Sequence, residues 1–211
     1  MSHASEYVIK QAQECRESWF KDHRATAVSP LTAEQFEAVW AEALVIRFVN
    51  PKSWNYGCHF IIHRRWLTVV GDIGEATYEW SGDLTLNFLA GLDFGYFHSK
   101  CVASEVGKRF NDWDDKIAKA YVKDRIADIK ATDLEDRCRD DATELEILED
   151  LGDDGKEEYD KAGHDYYDAT GDGEGASGIA QYGEVPSGRC IGHFEALKLA
   201  IAQLRSATPT P

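Results

Sequence analysis

Nothing in these 211 residues approaches the ~20 consecutive apolar residues that a membrane-spanning helix requires. The first ten residues, Met1 to Lys10, are polar and contain no apolar core of a secretion signal. Five cysteines is an odd number, and none forms a C-x-x-C pair, so neither a disulfide framework nor a zinc ribbon is indicated. Basic residues are scarce: 23 Lys and Arg face 38 Asp and Glu, a formal charge of −15. That balance argues against direct binding to DNA, RNA or an anionic membrane, all of which attract basic patches. The sequence also lacks a G-x-S-x-G elbow, an H-E-x-x-H helix, a Walker phosphate loop and any internal repeat. These absences together indicate a reduced, cytoplasmic, non-membrane protein without a recognisable catalytic motif or cofactor site.

The composition is otherwise that of a folded chain. A hydrophobic fraction of 43% and six tryptophans are more than a disordered segment carries. The acidity is concentrated. Between Asp140 and Glu174, fifteen carboxylates meet only Lys156 and Lys161, a local charge of −13. The remaining residues sum to −2, so a near-neutral domain bears one acidic segment.

Apolar spacing supplies the elements. Ser5 to Asp22 has a helical stripe at Val8, Ala12, Cys15 and Trp19. Thr32 and Gln35 form a capping box for a helix to about Ala43. The period then changes to two, giving strands at Leu44–Val49, Trp54–His63, Trp66–Val70 and Ala76–Trp80 with brief connections. Helices follow after Ser81-Gly82-Asp83, at Trp113–Ile129, from Asp133 to about Leu151 and at His193–Arg205. Asp153 to Tyr167 reads as helix or solvated loop, and Gly171 to Gly178, with four glycines, as a flexible connector. The expected fold is α+β: an antiparallel meander of about four strands over residues 44–80, packed by helices. The expected divisions are a core at 1–139, an acidic appendage at 140–178, and a closing helix at 179–211 that packs back on the core.

Three short patterns lie between Ile46 and Cys101: Pro51-x-Ser53-x-x-Tyr56, Leu67-x-x-x-Gly71-Asp72-x-Gly74, and Tyr96-Phe97-x-Ser99-Lys100-Cys101. This quarter of the chain resembles a family of small proteins carried by phages, prophages and other mobile elements. The resemblance implies a setting, a mobile-element product acting inside a bacterium. It carries no catalytic residues with it.

The acidic segment is the foremost candidate site. Wholly helical, its thirty-five residues would span ~52 Å at ~1.5 Å each. Fifteen charges over that length are spaced ~3.5 Å apart, close to the ~3.4 Å between phosphates on one DNA strand. A partner-binding face is therefore expected at Asp133, Asp136, Asp140, Asp141, Glu144, Glu149, Asp150, Asp153, Asp154, Glu157 and Glu158, with Tyr159, Tyr166 and Tyr167 as anchors. The plain alternative is an acidic face that only solubilises, leaving the sheet and the Tyr96-Phe97 region to make any contact.

Weaker candidates accompany it. Asp168-x-Thr170-x-Asp172-Gly173 begins like a calcium loop, but position twelve is Ile179 where a bidentate Glu is needed. Gly173 to Gly178 matches G-x-G-x-x-G without the preceding strand that a dinucleotide site requires. His59, His63, His98 and Cys101 are a conceivable metal set with no recognised zinc spacing. Cys190 and His193 are a conceivable thiol pair. The leading expectation is a non-enzymatic anti-defence inhibitor, of anti-CRISPR or anti-restriction type. It would act in the host cytoplasm and present a DNA-mimicking row of carboxylates to a basic, nucleic-acid-binding host protein. A sheet-surface interaction module and a small metal or thiol enzyme are the alternatives.

Overall fold

The computed structural model describes residues 3–27, 43–105, 110–132, 139–151 and 155–207. The expected helix at Thr32–Ala43 lies outside them. Helix α1 (His3–Glu14) runs into a single π-helical turn, Cys15–Trp19. Strands β1 (Arg24–Ala27), β2 (Leu44–Asn50), β3 (Ser53–His63), β4 (Trp66–Gly71) and β5 (Ala76–Glu79) follow. Two short helices, α2 (Leu86–Gly91) and α3 (Phe94–Ser99), precede β6 (Cys101–Ser104) and β7 (Asn111–Trp113). Then come α4 (Asp115–Ala131), α5 (Arg139–Asp150), α6 (Gly155–Thr170), α7 (Gly173–Ala180), β8 (Glu184–Pro186) and α8 (Gly188–Ala207). Among the described residues no helix is long and apolar enough to cross a membrane.

The class is α+β, as the spacing indicates, but the sheet has six antiparallel strands in the order β1-β2-β3-β4-β5-β6 rather than four. The two additional strands are its edges, each four residues long. Neither Arg24-Ala25-Thr26-Ala27 nor Cys101-Val102-Ala103-Ser104 has the apolar alternation that marks the inner strands. β7 and β8 form a separate two-stranded ladder.

The chain divides into two compact units. The sheet unit is Val8–Asn111 with Pro186–Pro211; the helical unit is Asp112–Val185 with Met1–Tyr7. The helical unit thus takes in α4 as well as the acidic segment, a wider division than the expected 140–178.

In the sheet unit, pleating sends alternate residues to one face. Leu44, Ile46 and Phe48 on β2, Cys58, Phe60 and Ile62 on β3, and Leu67 and Val69 on β4 are fully buried. Each such large side chain contributes about 1.5–3 kcal/mol. Helix α8 lies in this core. Its first turns, from Cys190 through Leu197, are buried on every side, so even its polar residues have no access to water. Ser187 caps it, its Oγ accepting the Cys190 N–H at 3.1 Å.

A helix buried all round must satisfy its polar groups internally. His193 Nδ1 lies 2.9 Å from the Tyr78 hydroxyl, and Nε2 lies 3.0 and 3.2 Å from the carbonyls of Ile73 and Gly74. Carbonyls only accept, so Nε2 holds the proton, Nδ1 is bare, and Tyr78 donates to it. The Gly71–Gly74 turn that supplies those carbonyls depends on glycine: φ is +144° at Gly71, where a Cβ would meet the Gly57 carbonyl oxygen at 2.3 Å. Further along α8, Glu195 receives a two-pronged ion pair from Arg16, Lys198 Nζ donates to the carbonyls of Ala90 and Leu92 at the end of α2, and Gln203 accepts the Ala25 N–H of β1 at 2.8 Å.

Burial lowers the His193 pKa from 6.5 to about 4, the carbonyl bonds only partly opposing it. The neutral ring is therefore the folded form. Its contribution is fully present above pH ~6.5 and is lost as pH falls toward ~4, because the unfolded chain takes up a proton that the native chain refuses. Wild type and H193Q, compared by urea unfolding from pH 7 to 4, should converge by roughly 3 kcal/mol on the acid side. Parallel profiles for the two would show that His193 does not titrate on unfolding in this way.

Candidate binding surface

The helical unit has its own small core. Leu148, Ala162, Tyr166 and Ile179 are buried, with Val122, Ile126, Ile147, Leu151, Ala176 and Tyr182 packed around them. Asp114 caps α4, its Oδ1 accepting the N–H groups of Lys116 and Ile117 at 2.9 and 3.1 Å. Helices α6 and α7 meet at glycines. A Cβ on Gly163 would lie 2.7 Å from the Ala176 carbonyl oxygen, and one on Gly175 would lie 2.7 Å from the Tyr166 ring. Gly173–Ala180 is thus helix, not the expected flexible connector: its glycines permit close approach instead of conferring flexibility.

The same contacts account for the motifs around it. Gly171 ends α6 at φ +75°, its N–H bonded to the Tyr167 carbonyl at 2.7 Å. Asp172 then caps α7, accepting from Glu174 N and Gly175 N at 3.0 and 3.1 Å. The Thr170-Gly171-Asp172-Gly173 run that resembles a calcium loop is a helix-to-helix corner.

An ion-pair cluster joins α4 to α5. Arg125 Nε and Nη2 reach the two oxygens of Glu144 at 2.9 and 2.7 Å, and Nη2 lies 3.4 Å from Asp141. The Tyr182 hydroxyl donates to Glu144 at 3.0 Å. Burial, reinforced by the Glu144 charge, raises the Tyr182 pKa well above the usual phenol range, and the hydrogen bonds that Arg125 gives to Glu144 raise its own. Glu149 pairs with Lys130 at 2.6 Å, both partners largely exposed.

These contacts redraw the expected surface. Glu144 is 7% exposed, Tyr159 3% and Tyr166 4%, so none of the three is available to a partner. Tyr159 instead packs edge-on against Trp113 at 5.0 Å. Asp141 is committed to Arg125. Asp140, Asp150, Glu157 and Glu158 are exposed, and Tyr167 is 51% exposed. Asp133, Asp136, Asp153 and Asp154 fall outside the described residues. The ~52 Å rod that a wholly helical segment would make does not form, since α5 and α6 are separate helices that pack on one another. The match to phosphate spacing along one strand therefore lapses, while the charge remains on the outside of a folded unit. Asp160, Asp165 and Asp168 on α6, not assigned to the partner-binding face from sequence, are exposed too. Their signal is the complement of the buried stripe at Tyr159, Ala162, Gly163 and Tyr166.

The other candidate sites do not assemble. His59 and His63 lie on β3 and Cys101 on β6, three strand spacings away, or roughly 14 Å at ~4.8 Å each. A zinc ion needs its ligands within ~2.3 Å. His98 Nε2 is instead 2.7 Å from the Asn111 side-chain oxygen. Among the described residues no three metal-ligating side chains converge. Cys190 and His193 are both fully buried; burial pushes the thiol up to about 12 while lowering the imidazole to about 4, so no thiolate–imidazolium pair forms near neutral pH. Of the Tyr96-Phe97 pair, Phe97 is core and Tyr96 is 41% exposed with Lys100 Nζ 4.6 Å above its ring.

No protein-family model, no curated protein and no solved structure matches the chain.

The division between paired and outward-facing carboxylates is testable by stability. E144Q should lower the unfolding free energy by about 1–3 kcal/mol, because Arg125 and Tyr182 lose their charged acceptor in a part-buried site. D168N should stay within about 0.5 kcal/mol of wild type. Urea melts followed by circular dichroism measure both; equal effects would show that Glu144 is a surface charge like the others.

Proposed function

We propose that this chain is a non-catalytic interaction protein whose helical unit binds a basic surface on a protein partner. The observation that carries this reading is the outward row on α6, Glu157, Glu158, Asp160, Asp165 and Asp168, with Asp140, Glu146 and Asp150 exposed on α5. The unit's core is built without them. They are held by helices, so few degrees of freedom are lost when Lys and Arg side chains dock against them. Exposed Tyr167 among them supplies an aromatic contact.

The resemblance of residues 46–101 to proteins of phages and mobile elements suggests where such a partner is found. We infer a host protein, in the bacterial cytoplasm, that ordinarily holds nucleic acid in a basic groove. Occupying that groove would inhibit it, the mode of an anti-CRISPR or anti-restriction protein. This is mimicry by an area of charge rather than by a rod with phosphate spacing.

The test is a variant carrying E157Q, E158Q, D160N, D165N and D168N, which leaves Glu144, Asp141 and Glu149 in their ion pairs. Bead-bound wild type incubated with bacterial lysate should retain nucleic-acid-binding proteins that elute when salt rises from about 0.1 M to 0.5 M, as screening shortens. The five-site variant should bind the same proteins at least about fivefold more weakly, at ~0.2–1 kcal/mol for each lost pair. The captured protein should also lose its nucleic acid when wild type is added. Undiminished binding by the five-site variant, at an unchanged melting temperature, would refute the reading.

A further inference from the structure

Where α5 and α6 pack on one another they leave a cavity of about 90 Å³. Helical spacing builds its walls. Ile147, Asp150 and Leu151 stand three and four residues apart at the end of α5 and just beyond it, and Glu158, Lys161, Ala162 and Asp165 repeat that spacing along α6. Each side of the seam thus gives one stripe to the cavity. Ile147, Leu151 and Ala162 belong to the unit's core and form an apolar floor, while the four charged residues are exposed at its rim. Ala162 accounts for the space. It is buried and ends in a methyl group, so the seam between the helices is not filled there.

That floor sets Asp150, Glu158 and Asp165 apart from the other outward carboxylates. Glu144, Asp141 and Glu149 are taken by Arg125 and Lys130. Among the described residues, no hydrogen bond or ion pair engages the carboxylates of Asp150, Glu158 or Asp165. Lys161 is the one cation at the rim, so the cavity faces three negative charges and one positive. The carboxylates do not converge as metal ligands do, since no such group of three assembles among the described residues. Size narrows the occupant further. A small-molecule site occupies ~300–1,000 Å³. This cavity holds about three waters at ~30 Å³ each, which is room for the head of one side chain.

We propose that this cavity seats an arginine side chain of the protein partner. It is the anchor of the charged contact put forward above, a reading that it deepens and on which it rests. Both parts of an arginine match. The stem is aliphatic and lies favourably along Ile147, Leu151 and Ala162. The planar guanidinium carries five N–H donors in a fixed fork, so one head can serve more than one rim carboxylate. A lysine ammonium is a more strongly hydrated point charge and gives up more on entering a cavity with an apolar floor. A few interface residues carry most of a binding energy, and arginines seated in pockets are prominent among them. The other acids of α6 then steer the partner, and this cavity fixes where it docks.

The experiment titrates ¹⁵N-labelled full chain with the peptide acetyl-Gly-Arg-Gly-amide, and with its Lys and Gln counterparts at equal ionic strength. Saturable amide shifts centred on residues 147–151 and 158–165 are the expected result, with the lysine peptide at least about threefold weaker and the glutamine peptide not saturating. Two charge-matched variants then separate the cavity from the charge. D150N, E158Q and D165N together should weaken the arginine peptide at least about fivefold. E157Q, D160N and D168N together remove as many charges outside the cavity and should weaken it by no more than about twofold. K161Q should strengthen it. All these positions are exposed, so melting temperatures should not change. No lysate protein enters the titration, so its failure is distinct from a failure of the charged-surface reading. Absent or non-saturating shifts, shifts centred elsewhere, equal losses in the two triple variants, or a lysine peptide that binds as tightly would each overturn the proposal.

Discussion

The neutral imidazole of His193 is the constraint around which the sheet unit is arranged. It sits on a helix with no solvent-facing side over its first turns, and it simultaneously receives the Tyr78 hydroxyl and gives its one proton to the Ile73 and Gly74 carbonyls. One ring thereby fixes the β4–β5 turn, the middle of β5 and the rotation of α8 about its own axis. Glu195, Lys198 and Gln203, spaced along the same helix, do likewise for the π-helical turn, the end of α2 and the edge strand β1. Apolar contact alone tolerates small slips of a helix on a sheet; a series of buried and part-buried polar contacts does not.

The helical unit solves a different problem, that of folding a strongly acidic sequence. The carboxylates of α5 and α6 fall into two populations. Glu144, Asp141 and Glu149 are drawn toward Arg125 and Lys130, which offsets part of the self-repulsion and joins α4 to α5. The rest face water on α5 and α6. The apolar complement is small, so tight helix crossings at Gly163 and Gly175 and the buried rings of Tyr159 and Tyr166 supply packing that aliphatic residues would otherwise provide.

Much of the sheet was legible in the sequence. Alternation in Cys58-His59-Phe60-Ile61-Ile62-His63 identified both the strand and its buried side, and turn residues at Asn50-Pro51 and Gly71-Gly74 marked its hairpins. The edge strands were not legible, because a four-residue strand with no fully buried side chain carries too few apolar positions to show a period. The glycines of 171–178 were misread for a physical reason: the same residue serves freedom in a loop and closeness between helices, and sequence alone does not say which. The acidic surface was legible only as a composition. Which carboxylates face outward was decided by the stripe at 159, 162, 163 and 166, and by Arg125, nineteen residues before Glu144, whose pairing with it leaves no mark in local spacing. Tyr159 and Tyr166 are lost as contact anchors on the same ground, since both occupy that stripe, whereas Tyr167 faces outward.

The shortness of β1 has a consequence for how the chain behaves among other chains. An open antiparallel sheet invites a foreign strand to lengthen it, the first step both of strand-exchange binding and of aggregation. Here the β1 edge offers only about 13 Å of backbone, at ~3.3 Å per residue. The Ala25 donor is already taken by the Gln203 side chain, and exposed Arg24 and Thr26 flank it. That edge is a poor template, so the sheet is closed to growth on this side by a side chain of the helix that forms its core.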